Sequence, residues 1–252
     1  MTDDNLTRTA KQFGPIAGRY ARETGFDPDI GPIVEVARPT PTDRALDVGT
    51  GAGHALLALA PHIASGVGLD ATPEMLDHAR ELAASRNASN VEWVVGSAQA
   101  LPFGDGAFQI VTCRVCAHHF ADPARFVREA ARVLSPGGRL VLADNYAPDD
   151  PTADAWINEL DKTRDPSHHR AWRLAEWETF FRDAGLGWSL LQTWEKAVDT
   201  ASWLDKAEAA LGARARVWEL LATPPPQAAE CFSVRSTPPE FSLLKFLAVG
   251  ER

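Results

Sequence analysis

Short apolar runs alternate with amphipathic helical periods from residue 44 onward, and this alternation organises the chain. Five runs have the length of buried strands: residues 45–48, 66–69, 91–95, 108–113 and 140–143. Helical spacing recurs between them, in segments that begin near Ala55, Thr72 and Asp122. Because strands separated by helices pair in parallel through right-handed crossovers, the pattern predicts an α/β fold with a parallel sheet.

The segments that flank this alternation have a different pattern. Residues 12–22 and 30–37 are predicted helices that precede it, and prolines at 39 and 41 interrupt the chain before it starts. After residue 144 the regular alternation stops. The later predicted elements are helices at 152–163, 176–184 and 202–221, strands at 188–198 and 241–249, and a proline linker at 224–226. The pattern therefore divides the chain into residues 1–40, 41–146, 147–175 and 176–252.

Composition and charge narrow the classes of protein that fit this pattern. The chain has 252 residues, a formal net charge of -9, and 45% hydrophobic and 23% charged residues, which is ordinary for a globular protein. Nucleic-acid binding depends on clustered Lys and Arg, and no such run occurs in this acidic chain. The polar start MTDDNLTRTAKQ, the lack of a membrane-length apolar run and the odd number of cysteines predict a cytoplasmic protein that binds neither membrane nor nucleic acid.

A glycine-rich loop joins the first predicted strand to its helix. Residues 46–53 read LDVGTGAG, with Gly49, Gly51 and Gly53 at alternate positions. Glycine has no Cβ and adopts positive φ easily, so a ligand can approach such a loop closely. The amides at the following helix start favour an anionic group such as a carboxylate. A dinucleotide fingerprint would have its third glycine where this chain has His54, which argues against a nicotinamide cofactor.

Asp70 ends the second predicted strand and is the natural partner of this loop. It follows the first glycine by about 20 residues, the spacing of a carboxylate that binds a ribose. Its two oxygens can accept hydrogen bonds from both ribose hydroxyls. Each feature alone also fits a simple turn or a helix-capping Asp. In the order strand, loop, helix, strand, the two together favour a nucleoside-type ligand.

Four segments between residues 44 and 146 carry a family resemblance. They read, in order, LDVGTGAGHALLALAP, VGLDATPEMLDHAR, ALPFGDGAFQIVTCRVCAHHF and EAARVLSPGGRLVLAD. They resemble the class I S-adenosylmethionine-dependent methyltransferases, especially the group around the ubiquinone/menaquinone-biosynthesis methyltransferases. QFGPIAGRYA, from residue 12, and RDPSHHR, from residue 164, also resemble segments of small-molecule methyltransferases in this group.

The resemblance implies a doubly wound, mostly parallel, seven-stranded Rossmann-like sheet whose last strand runs antiparallel. Residues 41–146 would form the core that binds the cofactor, and residues 176–252 would complete the sheet and carry a helical insert. Residues 147–175 would form a helical cap over the substrate. Residues 1–40 would form a helical lid, in which Phe13, Ile16, Ala17 and Tyr20 recur at helical spacing. A helix packed permanently on the sheet edge is the alternative to a lid.

The cofactor implied by the resemblance is S-adenosylmethionine. Asp47, Gly49 and Gly51 would hold its amino-acid end, and Asp70 would hold its ribose. Where the family has an Asp that contacts the adenine amine, this chain has Ser97, so adenine recognition would fall to backbone amides. The predicted cofactor site comprises Tyr20, Asp47, Gly49, Thr50, Gly51, Gly53, Asp70, Ala71, Met75, Ser97, Ala98, Gln99 and Arg114.

Four titratable residues are candidates for a general base. A base is needed only when the acceptor holds a proton that it would not lose at neutral pH. His118 and His119 directly follow the fourth predicted strand, and Asp144 ends the fifth. His168 lies in RDPSHHR of the predicted cap. A loop-capping or packing role is the alternative at each position.

Cys113 and Cys116 have the spacing of a redox pair or of half a zinc site. They end a strand rather than begin a helix, which disfavours a lowered thiol pKa. His118 and His119 are too close in sequence to complete a tetrahedral zinc site with them. We therefore expect no bound metal, and Cys113 is predicted to be a small buried residue of the strand.

The sequence predicts an enzyme that transfers a methyl group from S-adenosylmethionine to a small-molecule acceptor. A protein that binds the cofactor without catalysis is the first alternative, because binding residues persist without a competent acceptor site. A nicotinamide-dependent oxidoreductase is the second. The predicted helix at residues 202–221 would also suit a homodimer. Whether oxygen, nitrogen or carbon is methylated stays open at this point.

Overall fold

The five apolar runs form parallel strands of one sheet, as their alternation with helices predicts. The computed structural model describes residues 4–18, 29–209, 211–236 and 239–252. Its strands are β1 (Arg44–Val48), β2 (Ser65–Asp70), β3 (Val91–Val95), β4 (Phe108–Arg114), β5 (Leu134–Asn145), β6 (Ser189–Asp199), β7 (Arg235–Ser236) and β8 (Pro239–Glu251).

The strand order is β3-β2-β1-β4-β5-β8-β6, and the two-residue β7 pairs with β8 beside this path. β1 to β5 are parallel, whereas β8 runs antiparallel to both β5 and β6. This confirms the doubly wound, mostly parallel sheet with an antiparallel last strand. The order reverses between β1 and β4, and ligands of such sheets bind at the carboxyl ends of the strands beside that switch point.

Helices cover both faces of the sheet. They are α1 (Asp4–Phe13), α2 (Ile30–Ala37), α3 (His54–Leu59), α4 (Pro73–Ser85), α5 (Pro123–Val133), α6 (Pro151–Arg164), α7 (Leu174–Asp183), α8 (Thr200–Lys206), α9 (Leu211–Ala222) and α10 (Pro226–Cys231). Phe126 of α5 and Trp177 of α7 are buried against one face. Ile33 of α2 and Leu56 of α3 are buried against the other. Among the residues described here, no helix is both long enough and apolar enough to cross a membrane.

The predicted cap and the predicted C-terminal helical insert pack together as one helical layer with its own core. Trp156 of α6, Leu204 of α8 and Leu221 of α9 are buried in this cluster with Phe232 and Phe241. Aspartates cap two of these helices: the Asp150 side chain accepts from the amides that begin α6, and Asp199 does the same for α8. The segment after α6 then hydrogen-bonds to the loop after β4, which brings the cap to the sheet edge.

Three predicted element boundaries are wrong. The predicted helix at 12–22 is interrupted, because α1 ends at Phe13 and residues 14–16 form a turn; Pro15 has no amide hydrogen and its ring disfavours a continuous helix. The predicted helix at 202–221 is two helices, α8 and α9, and Glu208 between them has a left-handed φ of 49° that ends α8. Pro226, assigned to a linker, begins α10.

Candidate active site

The glycine loop leaves β1 in a backbone conformation that favours glycine. Gly49 has φ 67° and Gly51 has φ 54°, both in the left-handed region. The Gly49 and Thr50 amides donate to the Leu69 carbonyl at 2.8 and 3.0 Å, which ties the loop to the end of β2. A Cβ at Gly49 would collide with the Cys116 thiol, whereas a Cβ at Gly51 would meet nothing within 4 Å. Gly51 therefore borders open space.

Asp47 holds this loop from inside the sheet. Its side chain accepts hydrogen bonds from the hydroxyls of Thr50 and Thr112, both at 2.6 Å. Only 1% of the residue is exposed. Burial raises the pKa of the carboxyl above its ordinary value, although both hydroxyls and the nearby Arg114 act in the opposite direction. Both oxygens thus contact the protein itself, and Asp47 fixes the shape of the loop.

Asp70 connects the loop to the start of α4. Its Oδ2 accepts from the Gly51 amide at 2.8 Å, and its Oδ1 accepts from the Thr72 amide at 2.9 Å. Burial raises the pKa of Asp70, and these amides only partly offset it. Each carboxylate oxygen can accept a second hydrogen bond. Asp70 can therefore shape the loop and still receive a ligand hydroxyl.

A first cavity opens above the carboxyl ends of β1, β2 and β4. Its lining includes eight residues of the predicted cofactor site: Gly49, Gly51, Asp70, Ala71, Met75, Ser97, Ala98 and Gln99. The rest of its described lining is Thr9, Phe13, Leu69, Thr72, Gly96, Val115, Cys116, His119, Phe120 and Ala121. Asp47, Thr50, Gly53 and Arg114 are not among the described lining residues. Tyr20 lies outside the described residues.

Three predicted cofactor residues make contacts within the protein that bear on their roles. The Arg114 Nε donates to the Asp29 Oδ1 at 2.9 Å in a buried ion pair, which joins β4 to the segment before α2. The Ser97 hydroxyl accepts from the Gln99 amide at 3.2 Å. The Gln99 side chain in turn accepts from the Asp122 amide at 2.5 Å. Ser97 therefore shapes the turn at the adenine end of the predicted site.

The loop after β4 and the end of β5 form a buried His–Asp pair. The Nδ1 of His118 lies 2.6 Å from Oδ1 of Asp144, and Oδ2 of Asp144 accepts from the His118 amide at 3.1 Å. Burial lowers the pKa of His118, but the Asp144 carboxylate outweighs it, so the pKa is raised above its ordinary value. Burial likewise raises the pKa of Asp144, and the interaction with His118 brings it below its ordinary value. Since Nδ1 faces a carboxylate, Nε2 is the nitrogen left to accept a proton.

The two other predicted histidines are held by polar side chains of the cap. His119 Nδ1 lies 3.2 Å from the Ser167 hydroxyl, and burial with the nearby His118 lowers its pKa to about 4. His168 Nε2 lies 3.0 Å from the Asn158 Oδ1, and burial lowers its pKa well below the ordinary value. Both imidazoles are therefore neutral at pH values where His118 begins to titrate. His168 is not among the described residues that line either cavity.

A second cavity lies beside the first, between the sheet edge and the cap. The two share Phe13, Val115 and His119 as walls. The other described lining residues are His118, Asn145, Arg164, Asp165, Lys196, Ala197, Val198, Asp199, Ser202, Trp203, Lys206, Leu243 and Lys245. Val115 has a φ of 49°, which is rare for a β-branched residue and is typical of strained positions at functional sites. The structure thus brings His118 to a cavity that adjoins the predicted cofactor site.

Known proteins are similar to this chain in both fold and sequence. Residues 46–142 match the methyltransferase-domain family. The uncharacterized methyltransferase YcgJ of Bacillus subtilis is 40% identical over 196 residues, which is 77% of this chain and 78% of YcgJ. The crystal structure of YcgJ superposes with a TM-score of 0.86, covering 89% of this chain and 97% of that one at 36% identity. The chain belongs to the class I S-adenosylmethionine-dependent methyltransferases.

Two further relatives agree with this assignment. A candidate methyltransferase from Bacillus halodurans C-125 has a TM-score of 0.85 at 33% identity, covering 89% of this chain and 99% of that one. A demethylmenaquinone methyltransferase from Deinococcus radiodurans is 42% identical over 104 residues, or 40% of this chain and 42% of that protein. The enzyme is therefore a methyltransferase whose cofactor is S-adenosylmethionine.

The first cavity of this methyltransferase fits that cofactor on its own geometry. A Cβ at Gly51 would enter open space, beside a loop that begins a helix. Such a position suits a carboxylate next to backbone amides. Asp70 is a buried acceptor at one wall, and Met75 with Ala98 provides an apolar surface at another. The residues present therefore match an amino acid, a ribose and a base.

The cysteines of this methyltransferase are thiols. Cys113 is fully buried in β4, and burial raises its pKa well above the ordinary value. The Cys116 side chain occupies the space beside Gly49 and lines the first cavity. Cys116 thus serves as part of the cavity wall, a role that its spacing from Cys113 does not indicate.

Sequence reasoning missed the lining residues that follow β4 and the charged residues of the second cavity. Val115, Phe120 and Ala121 line the first cavity. Their position after the carboxyl end of a strand was the sequence signal that could have identified them. Lys245 interrupts the apolar strand FSLLKFLAV, and a charged residue inside such a strand was the available signal. The buried Asp161 of α6 carried no such signal; it is not among the described residues that line either cavity, and burial raises its pKa to about 6.

Proposed function

We propose that this methyltransferase acts on a small-molecule acceptor that binds in the second cavity, with His118 as the general base. The observation that supports this most directly is the shared wall between the two cavities. Phe13, Val115 and His119 border both, so an acceptor in the second cavity lies next to a donor in the first. A site enclosed between a sheet edge and a cap suits a small molecule better than a macromolecule.

We assign the parts of the cofactor to the first cavity as follows. The loop at Gly49 and Gly51 holds the amino-acid end, and Asp70 binds the ribose hydroxyls. Ala71 and Met75 contact the adenosine, and the turn at residues 97–99 contacts the adenine. Asp47, Thr50, Gly53 and Arg114 act indirectly, since their contacts hold the loop and its surroundings. Phe13 and Thr9 support a lid role for the N-terminal segment, because both line this cavity.

The chemistry of the cofactor limits what the protein has to do. When bound, S-adenosylmethionine would supply the methyl group of its cationic sulfonium: the acceptor nucleophile would bond to the methyl carbon in line with the breaking C–S bond, and S-adenosylhomocysteine would be the leaving group. The protein aligns the acceptor, and tight alignment is worth roughly 7–11 kcal/mol.

His118 removes the proton of an acceptor that is not already deprotonated. Asp144 is fully buried and acts through His118, so it is a positioning residue: its Oδ1 fixes the imidazole and stabilises the cation that forms. His119 is neutral at pH 7 and forms a wall of both cavities. His168 packs 5.5 Å from the His118 ring, and its contact with Asn158 gives it a supporting role.

The test uses the purified protein with cofactor that carries an isotopically labelled methyl group. A small-molecule cell extract is added, and label transfer is followed by mass spectrometry. We expect label in a low-molecular-weight product, formed together with S-adenosylhomocysteine, and His118→Gln should reduce that transfer. Tight cofactor binding with no extract-dependent turnover would support the non-catalytic alternative. Calorimetry with a nicotinamide dinucleotide tests the oxidoreductase alternative, for which we expect no binding.

Two further predictions concern the state of the protein rather than its chemistry. A cytoplasmic location stays a prediction from sequence, as does a homodimer formed through the region of α8 and α9. Sedimentation analysis of the purified chain tests the dimer, and cell fractionation tests the location. A small acceptor is the partner that we propose, with no role for nucleic acid or a membrane.

A further inference from the structure

The described lining of the second cavity has more cationic than carboxylate side chains, although the chain as a whole is acidic. Its described lining contains four cationic side chains, which we call the cationic wall: Arg164, Lys196, Lys206 and Lys245. Asp165 and Asp199 are the carboxylates of the same described lining. The whole chain has the opposite balance, with 25 Lys and Arg against 34 Asp and Glu. The excess of cations is therefore a local property of this cavity.

The two carboxylates at this cavity already accept hydrogen bonds from the protein. Asp165 Oδ1 accepts from the Ser167 hydroxyl at 2.6 Å and from the Ser167 amide at 2.9 Å. Asp199 Oδ1 accepts from the Ser202 amide at 2.7 Å and caps α8. Both carboxylates therefore have a structural role, Asp165 in the turn after α6 and Asp199 at the start of α8.

Lys245 is the most informative member of the cationic wall. It lies in the middle of β8 and is only 4% exposed. Its Nζ donates to the Asn145 Oδ1 at 3.2 Å, and Asn145 is its directly paired residue on β5. The ammonium also interacts electrostatically with the buried Asp144 carboxylate. Lys245 is therefore a buried cation at the wall of the second cavity, a position from which it can bind an anionic group.

The sheet places a second lysine on the same side as Lys245. Trp194 of β6 pairs directly with Lys245, and Lys196 lies two residues further along β6. Side chains two residues apart on a strand share a face, as do directly paired residues on neighbouring strands. Lys196 and Lys245 therefore point to one side of the sheet, at the end of β5 where Asp144 positions His118.

Arg164 completes this arrangement from the cap. Its Nε donates to the Trp203 carbonyl at 3.0 Å, and its guanidinium lies 4.4 Å from the centre of the Trp203 ring. Both contacts fix its orientation at the cavity, since Trp203 also lines it. A guanidinium held in place on an aromatic ring loses little entropy when it binds a carboxylate or a phosphate.

We propose that the methyl acceptor is an anion whose carboxylate or phosphate group binds to the cationic wall at Lys245, Lys196 and Arg164. This inference rests on the proposed function, because it assigns the acceptor to the second cavity. The anionic group would anchor the acceptor at the sheet edge and leave its nucleophilic atom facing the first cavity. The same cations would favour the deprotonated nucleophile that His118 produces.

The experiment measures binding of three probes that share a phenyl ring to the protein saturated with S-adenosylhomocysteine. Benzoate and phenyl phosphate carry the two anionic groups, and benzamide is the neutral counterpart. By calorimetry at low salt, we expect at least one anion to bind about tenfold more tightly than benzamide, or better. Lys245→Met should remove that preference, and Lys196→Met should reduce it. Lys162→Met, on the exposed side of α6, is the matched control and should leave it intact.

The two anions separate the sources of the anionic group: a preference for benzoate identifies a carboxylate acceptor, and a preference for phenyl phosphate identifies a phosphorylated one. The proposal is wrong if benzamide binds as well as both anions, or if the preference survives in both Lys245→Met and Lys196→Met. S-adenosylhomocysteine affinity is measured for every variant and reports whether the site is folded. If the variants keep their affinity for S-adenosylhomocysteine and label is transferred only to neutral components of the extract, the acceptor is not an anion. The methyltransferase assignment would remain intact.

Discussion

His118 Nδ1 lies 2.6 Å from Asp144 Oδ1, although the two residues are 26 positions apart in the chain. One follows β4 and the other ends β5, so parallel pairing of these strands brings both to the same edge of the sheet. Asp144 is fully buried, which makes it a strong influence on the imidazole. With His118 as the proposed general base, the pair would link the topology of the sheet to the pH dependence of the reaction.

The first prediction concerns that pH dependence. Only a neutral His118 accepts a proton, and the Asp144 carboxylate raises its pKa. For acceptors that need a base, kcat/KM should therefore rise with pH through an apparent pKa above the ordinary His value of about 6.5. Asp144→Asn removes the negative charge, so the rise of kcat/KM with pH should move to lower pH, and kcat should fall by about a hundredfold. A rate that is flat from about pH 6 to about pH 9 would contradict the role of His118.

His78→Gln is the matched control for the pH profile. His78 lies on α4 and is not among the described residues that line either cavity. Its replacement should leave the profile unchanged.

The second prediction concerns Asp70. Asp70→Ala removes the acceptors of the Gly51 and Thr72 amides, which are also the acceptors that we propose for the ribose hydroxyls. Hydrogen bonds to a charged group are worth roughly 1.5–3 kcal/mol each, so affinity for S-adenosylhomocysteine should fall by more than about tenfold. Asp70→Asn keeps the shape and one acceptor oxygen and should show a smaller loss. Asp77→Asn, exposed on α4, is the control. Unchanged calorimetric affinity of Asp70→Ala would remove Asp70 from the cofactor site.

The third prediction separates ligand space from backbone strain in the glycine loop. Gly51→Val places a side chain in open space at the first cavity, at a φ of 54°, and should abolish cofactor binding. Gly137→Val is the matched control. Gly137 also has a positive φ, 78°, and a Cβ there would meet nothing within 4 Å, yet it lies at the start of β5. Each variant should lose about 1–2 kcal/mol of stability from the left-handed conformation. If both variants bound S-adenosylhomocysteine equally, the ligand would lie elsewhere.

The sequence predicted the sheet and brought together eight residues that line one cavity, because both depend on local patterns. Short apolar runs and the glycine loop are contiguous, and the position of Asp70 follows from the end of one strand. Asp47 and Thr112 lie 65 positions apart and meet because they are directly paired in the register of β1 and β4, and hydrophobic periodicity along the chain does not give such a long-range contact. Nor does it give the contact of Arg114 with Asp29, which lies 85 positions away.

Two errors have a different origin, since their signals were present in the sequence. Gly14 and Pro15 stand inside the predicted helix at 12–22, and helical spacing of apolar residues was given more weight than a proline. Lys245 stands inside an apolar strand, which indicates a special environment. Its neighbours in the second cavity come from α6, α8, β5 and β6. These elements meet because the cap packs against the edge of the sheet. The packing of the cap does not follow a simple hydrophobic period in the sequence.

The fourth prediction concerns stability and Asp161. Burial raises its pKa from 3.8 to about 6, and its Oδ2 has no hydrogen-bond partner among the described residues. The folded protein therefore holds this proton more tightly than the unfolded chain does, so stability is lost as pH rises from about 4 to about 6. Asp161→Asn should remove this penalty and raise the free energy of unfolding by about 1–3 kcal/mol at pH 7.

Urea denaturation at two pH values tests the role of Asp161. The increase in the free energy of unfolding that Asp161→Asn causes should become smaller towards pH 4, where the carboxyl of the native protein is already protonated. Asp183→Asn, exposed at the end of α7, should change stability little at either pH. An Asp161→Asn variant that is less stable than the native protein at pH 7 would show that its charged form is stabilised by contacts with the cap.

The last prediction concerns the N-terminal segment. Phe13 ends α1, lines both cavities and packs edge-on against His119 with 5.4 Å between ring centres. Ile16 and Ala17 are buried just beyond it. A segment that forms part of the wall of both cavities should open locally without ligand and close when the cofactor fills the space beside Phe13. Amide exchange in residues 4–18 should therefore be fast in the free protein and slow by at least about tenfold with S-adenosylhomocysteine. Phe13→Ala should weaken that protection, whereas Phe180→Ala on α7 should leave it unchanged. Equal protection with and without ligand would mean that α1 is a fixed part of the fold and that Phe13 is a permanent wall of both cavities.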